Sequence, residues 1–177
     1  MSGCIEILKT AQESARALVK QLEFNQTDRL VMAESCTGGL AAGLLAQVPG
    51  VSQWLCGSAV TYRESVKTKW LGVSTTTLAN YRAESMETTS EMALGVLRQT
   101  SEAKYSAAIT GHLGPDAPPA TDGQIFIAIA VRSDKETQIY STHCLKLDSL
   151  ERVARQYESA GRVLRCLREA MAAGNND

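Results

Sequence analysis

Apolar residues recur along the chain with two different periods. Starting at Ile5, the residues Leu8, Ala11, Ala15, Leu18 and Leu22 fall three or four apart with charges between them, the spacing of one helical face. "DRLVMAES" then reads as a short buried strand from Leu30 to Ala33, and "TGGLAAGLLAQV" as a helix of small residues. "CGSAVTY" predicts a second strand and "RESVKTKWLG" a short helix closed by Gly72. In "STTTLANY" Ser74 is the cap, and an amphipathic helix follows over about 85–100. "KYSAAITG" predicts a third strand, which runs into "GHLGPDAPPATDG", the one Pro-rich stretch. "QIFIAIAVR" and "TQIYSTHCLKL" are two further strands, and the intervening "SDKE" suits a hairpin. From Asp148 to about Ala172, the residues Leu150, Val153, Ala154, Tyr157, Val163, Leu164 and Leu167 mark one helical face. Asp148 and Glu151 have the spacing of a capping box at its start.

The order αβαβααβββα has helices between its early strands, which implies parallel pairing, and a late hairpin, which adds an antiparallel strand. The expected fold is a three-layer α/β/α sandwich around a mixed, mostly parallel five-stranded sheet, with residues 1–177 as one unit. Ligands of such sheets sit beyond the carboxyl ends of the strands. Three segments fall at such ends: "AESCTGG", "VTYRESVK" and "ITGHLGPD".

Charge narrows the partners. Eighteen basic residues face 19 acidic ones, so no strong field favours nucleic acid or an acidic membrane. No apolar run approaches the roughly 20 residues of a membrane helix. The first residues, "MSGCIEILKTAQESARALVKQ", are charged throughout, unlike a signal peptide. Five cysteines lie scattered without a CxxC pair, which points to reduced thiols and a cytoplasmic location rather than a zinc site.

In "AESCTGG" the crowding of Ser35, Cys36 and Thr37 before Gly38 and Gly39 exceeds the needs of a turn. The N–H groups of a helix start there would form an anion site or oxyanion hole; the plainer alternative is a tight turn with Thr37 as N-cap. Lys67 lies shortly after Tyr62, and a desolvated lysine can activate a serine; a solvated surface lysine is the alternative. His112 and His143 are the two histidines from which a Ser-His-Asp triad would have to draw, and Cys36 is a second candidate nucleophile.

Together these residues resemble one family. "AESCTGGLAAGLL…VPGVSQWLCGSAVTYRESVKTKWLGV", with "ITGHLGP" and "DGQIFIAIA" further on, is similar to the C-terminal domain of the CinA competence/damage-inducible proteins, the nicotinamide-nucleotide amidohydrolase family. The resemblance spans about residues 5–168 and leaves out the molybdopterin-binding-like domain that precedes this one in longer members. It implies hydrolysis of nicotinamide mononucleotide to nicotinate mononucleotide and ammonia, without metal or cofactor, by a protein that self-associates. Carried across, Ser35 is the nucleophile, Lys67 its base partner and Tyr62 a neighbour that orients or relays a proton. Thr37, Gly38, Gly39, Thr110 and Gly111 would line the nucleotide pocket. "DAPPATDG" is shorter than the family's usual loop, and Leu147, Asp148 and Ser149 stand where Gly-Asp-Arg is common; Arg152 or Arg155 would then have to meet the phosphate. Two other readings fit the altered loop: a paralogue that only binds a nucleotide or a protein partner, and a hydrolase of a different amide. Exposed-looking Trp54 and Leu55 add to the expectation of a homo-oligomer.

Overall fold

A computed structural model of the chain describes residues 2–24, 28–133 and 136–173. Helix α1 (Ser2–Phe24) leads to strand β1 (Leu30–Glu34), helix α2 (Leu40–Ala46) and, after a 3-10 turn, strand β2 (Leu55–Val60). Helices α3 (Glu64–Leu71), α4 (Thr75–Tyr81) and α5 (Met86–Gln99) follow. Strands β3 (Tyr105–Gly111), β4 (Gln124–Arg132) and β5 (Thr137–Lys146) come next, and helix α6 (Arg152–Ala173) closes the chain. The sheet runs β2-β1-β3-β4-β5. β1 pairs in parallel with β2 and β3, while β4 is antiparallel to both β3 and β5. Four strands therefore point one way and β4 runs against them, a mixed sheet that is mostly parallel in direction, as expected.

Alternation along the strands sorts the side chains into two unlike layers. Leu30, Met32, Ile109, Ile125, Ile127 and Ile129 join Leu18, Leu22, Leu44, Leu164 and Leu167 of α1, α2 and α6 in one core. The other core sets Ala33, Ala108, Ala128 and Ala130 of the strands against Met92, Ala93, Val96 and Leu97 of α5. Full burial of one Leu or Ile side chain is worth about 1.5–3 kcal/mol, so the first layer carries more of the apolar free energy. Small residues on the second face let α5 lie close, and Ser106 Oγ of β3 donates to Ala93 O at 2.8 Å. Gly95 shows how close α3 comes as well: a Cβ there would stand 2.0 Å from Leu71 O.

Local signals fix most element ends. Gly72 adopts the left-handed conformation (φ 72°) that closes α3, and the Ser74 side chain accepts from the N–H groups of Thr76 and Thr77 at the start of α4. The last helix departs from expectation. It begins at Arg152, and no capping box forms, because Glu158 reaches back from α6 to accept the N–H groups of Asp148 and Ser149 at 3.1 and 2.9 Å. Asp148 instead accepts from Arg162. Leu150 is consequently outside the helix and 83% exposed, and Val153 also faces water. Trp54 is buried rather than exposed, since the 3-10 turn folds it into the first core; Trp70 is the exposed tryptophan. At the expected hairpin, Ser133 N–H donates to Glu136 O at 2.9 Å, while Asp134 and Lys135 lie outside the described residues. Among the described residues no helix is long and apolar enough to cross a membrane.

Candidate active site

Ser35 is the first residue beyond β1, and its N–H donates to Ile109 O of β3 at 3.1 Å, which fixes it at the carboxyl end of β1, beside the central strand β3. Lys67 comes from α3, the helix after the neighbouring strand β2. Its Nζ lies 2.8 Å from Ser35 Oγ and 2.6 Å from Thr61 O, and the side chain is completely buried. An ammonium is seldom kept from water in this way. Burial pushes the Lys67 pKa down, opposed by the charges of Glu84, Cys36 and Glu64. Once neutral, the amine has two N–H groups and a lone pair. Thr61 O holds one N–H, and the lone pair can then accept the Ser35 hydroxyl, so the hydrogen bond reverses. That is the arrangement a serine nucleophile needs from its base.

The turn that presents Ser35 is organised from beneath by Glu34, the last residue of β1. One carboxylate oxygen accepts from Thr37 Oγ1 at 2.7 Å and from the N–H groups of Gly39 and Ala41 at 3.1 Å. The other accepts from Ala42 N–H and from Ser58 Oγ, both at 3.0 Å. Gly38 and Gly39 take positive φ values, 63° and 96°, which turn the chain so that these N–H groups point back at the strand end. The expected anion site at this helix start is therefore filled by the protein's own carboxylate. Thr37 is committed to Glu34, and the cap of α2 is Gly39 rather than Thr37.

A cleft of about 230 Å³ opens over Ser35, lined also by Cys36, Tyr62, Glu84, Gly111 and Arg152 and roofed by the loop 112–118. Of the expected pocket residues, Gly111 lies on this cleft. Thr37, Gly38 and Gly39 do not, and Thr110 is buried with its hydroxyl 2.8 Å from that of Thr89. Tyr62 is 57% exposed at the mouth, where its hydroxyl accepts from Arg152 Nη2 at 2.9 Å. Among the described residues it makes no hydrogen bond to Ser35 or Lys67. Arg152 also donates to Gly114 O. Arg155 is spoken for: it grips both oxygens of Asp122 at 2.7 Å and donates to Ser149 O at 2.8 Å, tying the end of the loop to α6.

His112 lines the cleft, whereas His143 pairs with Ser141 on β5, so no triad is assembled from the two. Cys36 is a poor nucleophile here, since burial pushes its thiol up to about 12. Among the described residues no three His, Cys, Asp or Glu side chains gather as metal ligands would. Two residues of the site escaped the sequence reading. Glu34 carried a signal, an acid ending a buried strand just ahead of a helix start. Glu84 carried none, because only the tertiary fold brings it to the cleft that holds Ser35.

Fold and site together define an α/β/α sandwich with a buried serine–lysine pair at the carboxyl end of β1. The chain belongs to the CinA C-terminal domain family, whose model matches residues 11–171. It is 41% identical over 127 residues to a CinA-like protein of Desulforapulum autotrophicum, covering 71% of this chain and 29% of that one. A CinA-like protein of Myxococcus xanthus is 42% identical over 103 residues, with 57% and 24% covered. The matches thus span about a quarter to a third of these relatives. Among solved structures, a competence/damage inducible protein from Agrobacterium tumefaciens superimposes with a TM-score of 0.82 at 29% identity, over 91% of this chain and 95% of that one. The competence damage-inducible protein A from Klebsiella pneumoniae gives the same TM-score at 25% identity, with 92% and 97% covered.

Proposed function

We propose that this chain is an amidohydrolase that converts nicotinamide mononucleotide to nicotinate mononucleotide and ammonia. The observation that carries the reading is Lys67 Nζ, buried and 2.8 Å from Ser35 Oγ, at the floor of an open cleft. Ser35 Oγ adds to the carboxamide carbon and its proton passes to Lys67. The N–H of Cys36, next in the chain to the nucleophile, is the candidate donor to the developing oxyanion. Lys67 returns the proton to nitrogen as the C–N bond breaks and ammonia leaves an acyl-serine. Water, deprotonated by Lys67, then releases the acid and restores Ser35. Arg152 at the mouth is the guanidinium placed to meet the phosphate, since Arg155 is paired with Asp122. Tyr62 holds Arg152 there rather than relaying a proton to the pair.

Ammonia release from the mononucleotide tests this directly. Ser35→Ala is expected to lose about three or more decades of turnover, as nucleophile removal does in cooperating sets. A folded wild-type protein that releases no ammonia would instead be the binding-only paralogue, and release from other amides alone would redirect the substrate assignment. The reading includes a cytoplasmic location and self-association, the latter through exposed Leu150 and Val153; a monomeric mass in light scattering would remove the association.

A further inference from the structure

Glu84 lies on the cleft wall beside Ser35, just ahead of α5. The end of β3 holds both in place. Ser35 N–H is bonded to Ile109 O, Thr110 is bonded to Thr89, and Thr89 Oγ1 donates to Ser85 O at 2.6 Å. The Glu84 carboxylate enters none of the hydrogen bonds or ion pairs of the described residues. It lines the same cleft as Ser35 and Cys36, over the Ser35–Lys67 pair. A carboxylate with unused lone pairs is an acceptor only. A carboxamide offers it two N–H donors. The acid that replaces the amide offers none and carries a like charge.

We propose that Glu84 makes the cleft selective for a carboxamide over the corresponding carboxylate, by accepting the amide NH₂ of the substrate and repelling the acid product. This inference rests on the amidohydrolase reading. Under it, the cleft carries Arg152 for the phosphate and Glu84 on its wall for the carboxamide. The phosphate end is common to substrate and product, so discrimination and release of the acid are assigned to Glu84; Asp116, the other carboxylate on the cleft, is carried by the loop 112–118. A role limited to favouring the start of α5 would alter stability and leave this discrimination unchanged.

The test is titration calorimetry in a Ser35→Ala background, with nicotinamide mononucleotide and nicotinate mononucleotide as probes, each with Glu84 intact and as Glu84→Gln. With Glu84 the amide is expected to bind about tenfold or more tightly than the acid, the size of one like-charge contact in a cleft open to water. Glu84→Gln and a second variant, Glu84→Ala, should remove that preference, mainly by strengthening acid binding, and should melt at the wild-type temperature. Wild-type product inhibition should deepen correspondingly in the Glu84→Gln single variant. An unchanged amide-to-acid ratio, in a protein whose wild type releases ammonia, would overturn the Glu84 assignment alone. If neither nucleotide binds and the wild type releases no ammonia, the amidohydrolase reading falls and this inference with it.

Discussion

Replacing Glu34 by Gln should cost this protein more than any exposed charge change. The two carboxylate oxygens accept five hydrogen bonds, three from backbone N–H groups of the α2 start and two from hydroxyls. Glutamine keeps one oxygen and turns the other position into a donor. If its oxygen takes the side of Thr37, Gly39 and Ala41, the NH₂ faces Ala42 N–H and Ser58. Ser58 can rotate its hydroxyl and accept, but the Ala42 N–H cannot. An unsatisfied donor of this kind costs about 1–3 kcal/mol. The three remaining bonds lose their charge assistance, and the helix loses a negative group at its positive end, worth another ~0.3–1 kcal/mol. A total near 3–4 kcal/mol is expected, consistent with the roughly 3–5 kcal/mol for breaking buried charged networks. Urea unfolding followed by circular dichroism reads this as a fall in midpoint of roughly 1–2 M, taking a slope of about 2–3 kcal/mol/M. Activity per folded molecule should drop too, because the turn that carries Ser35 is built on these bonds. A destabilisation below about 1 kcal/mol would show that the α2 start is held by other contacts, and the account of the turn would be wrong.

Lys67→Met should abolish ammonia release while leaving the fold intact, because methionine fills the buried channel without a charge to desolvate. In the wild type the folded pKa of Lys67 lies below 10.5, so between that lowered value and 10.5 the unfolded chain binds the extra proton and stability rises with pH. The same deprotonation should give kcat/KM an ascending limb centred below 10.5; a profile flat across neutral and alkaline pH would sink the lysine base. Cys36→Ala should keep wild-type turnover, and iodoacetamide at neutral pH should label exposed Cys144 well before Cys36; rapid inactivation through Cys36 would contradict the thiol's upward shift. Asp122→Asn should loosen the loop at 112–123, read as faster proteolysis there. The Arg155 guanidinium holds the Asp122 carboxyl below its usual 3.8, so the wild-type loop is tied down at neutral pH and should loosen as acid protonates Asp122. Equal cleavage rates in wild type and variant at pH 7 would dismiss that tether.

The layers of the fold were open to reading because each strand carried its own period. "QIFIAIAVR" spans β4 from its first residue to its last, and its alternate isoleucines all enter the core with α1 and α6. Gly72 and Ser74 were equally plain, since each acts within a few residues of itself. The start of α6 was not, because Glu158 competes for the backbone from ten residues away and no short-range rule weighs that bond. Leu150 departs from the expected face for the same reason, because helical spacing extends across residues that are not yet helix, whereas Val153 is in α6 but faces water.

The site divides along the same line. Ser35 and Lys67 were named from sequence, yet nothing local distinguishes Lys67 from a surface lysine. Its burial depends on α3 crossing the end of β2 so that Nζ meets both Thr61 O and Ser35 Oγ. The glycines of "AESCTGG" suggested a helix start left open for a ligand, and the conformation they take was indeed the unusual one. The inference failed at the next step, because an open helix start and a nearby acid on a buried strand are competing claims on the same N–H groups. The acid wins when it is already held at the site by the fold, since it then has no binding entropy left to lose, whereas a diffusible anion must give up its translational freedom. Under the amidohydrolase reading, substrate recognition then falls not to the α2 start but to other residues of the cleft, Glu84, Gly111 and Arg152. On that reading the motif that most strongly marks the sequence supplies the nucleophile and its scaffold, while recognition falls to residues that only the tertiary fold brings to one cleft.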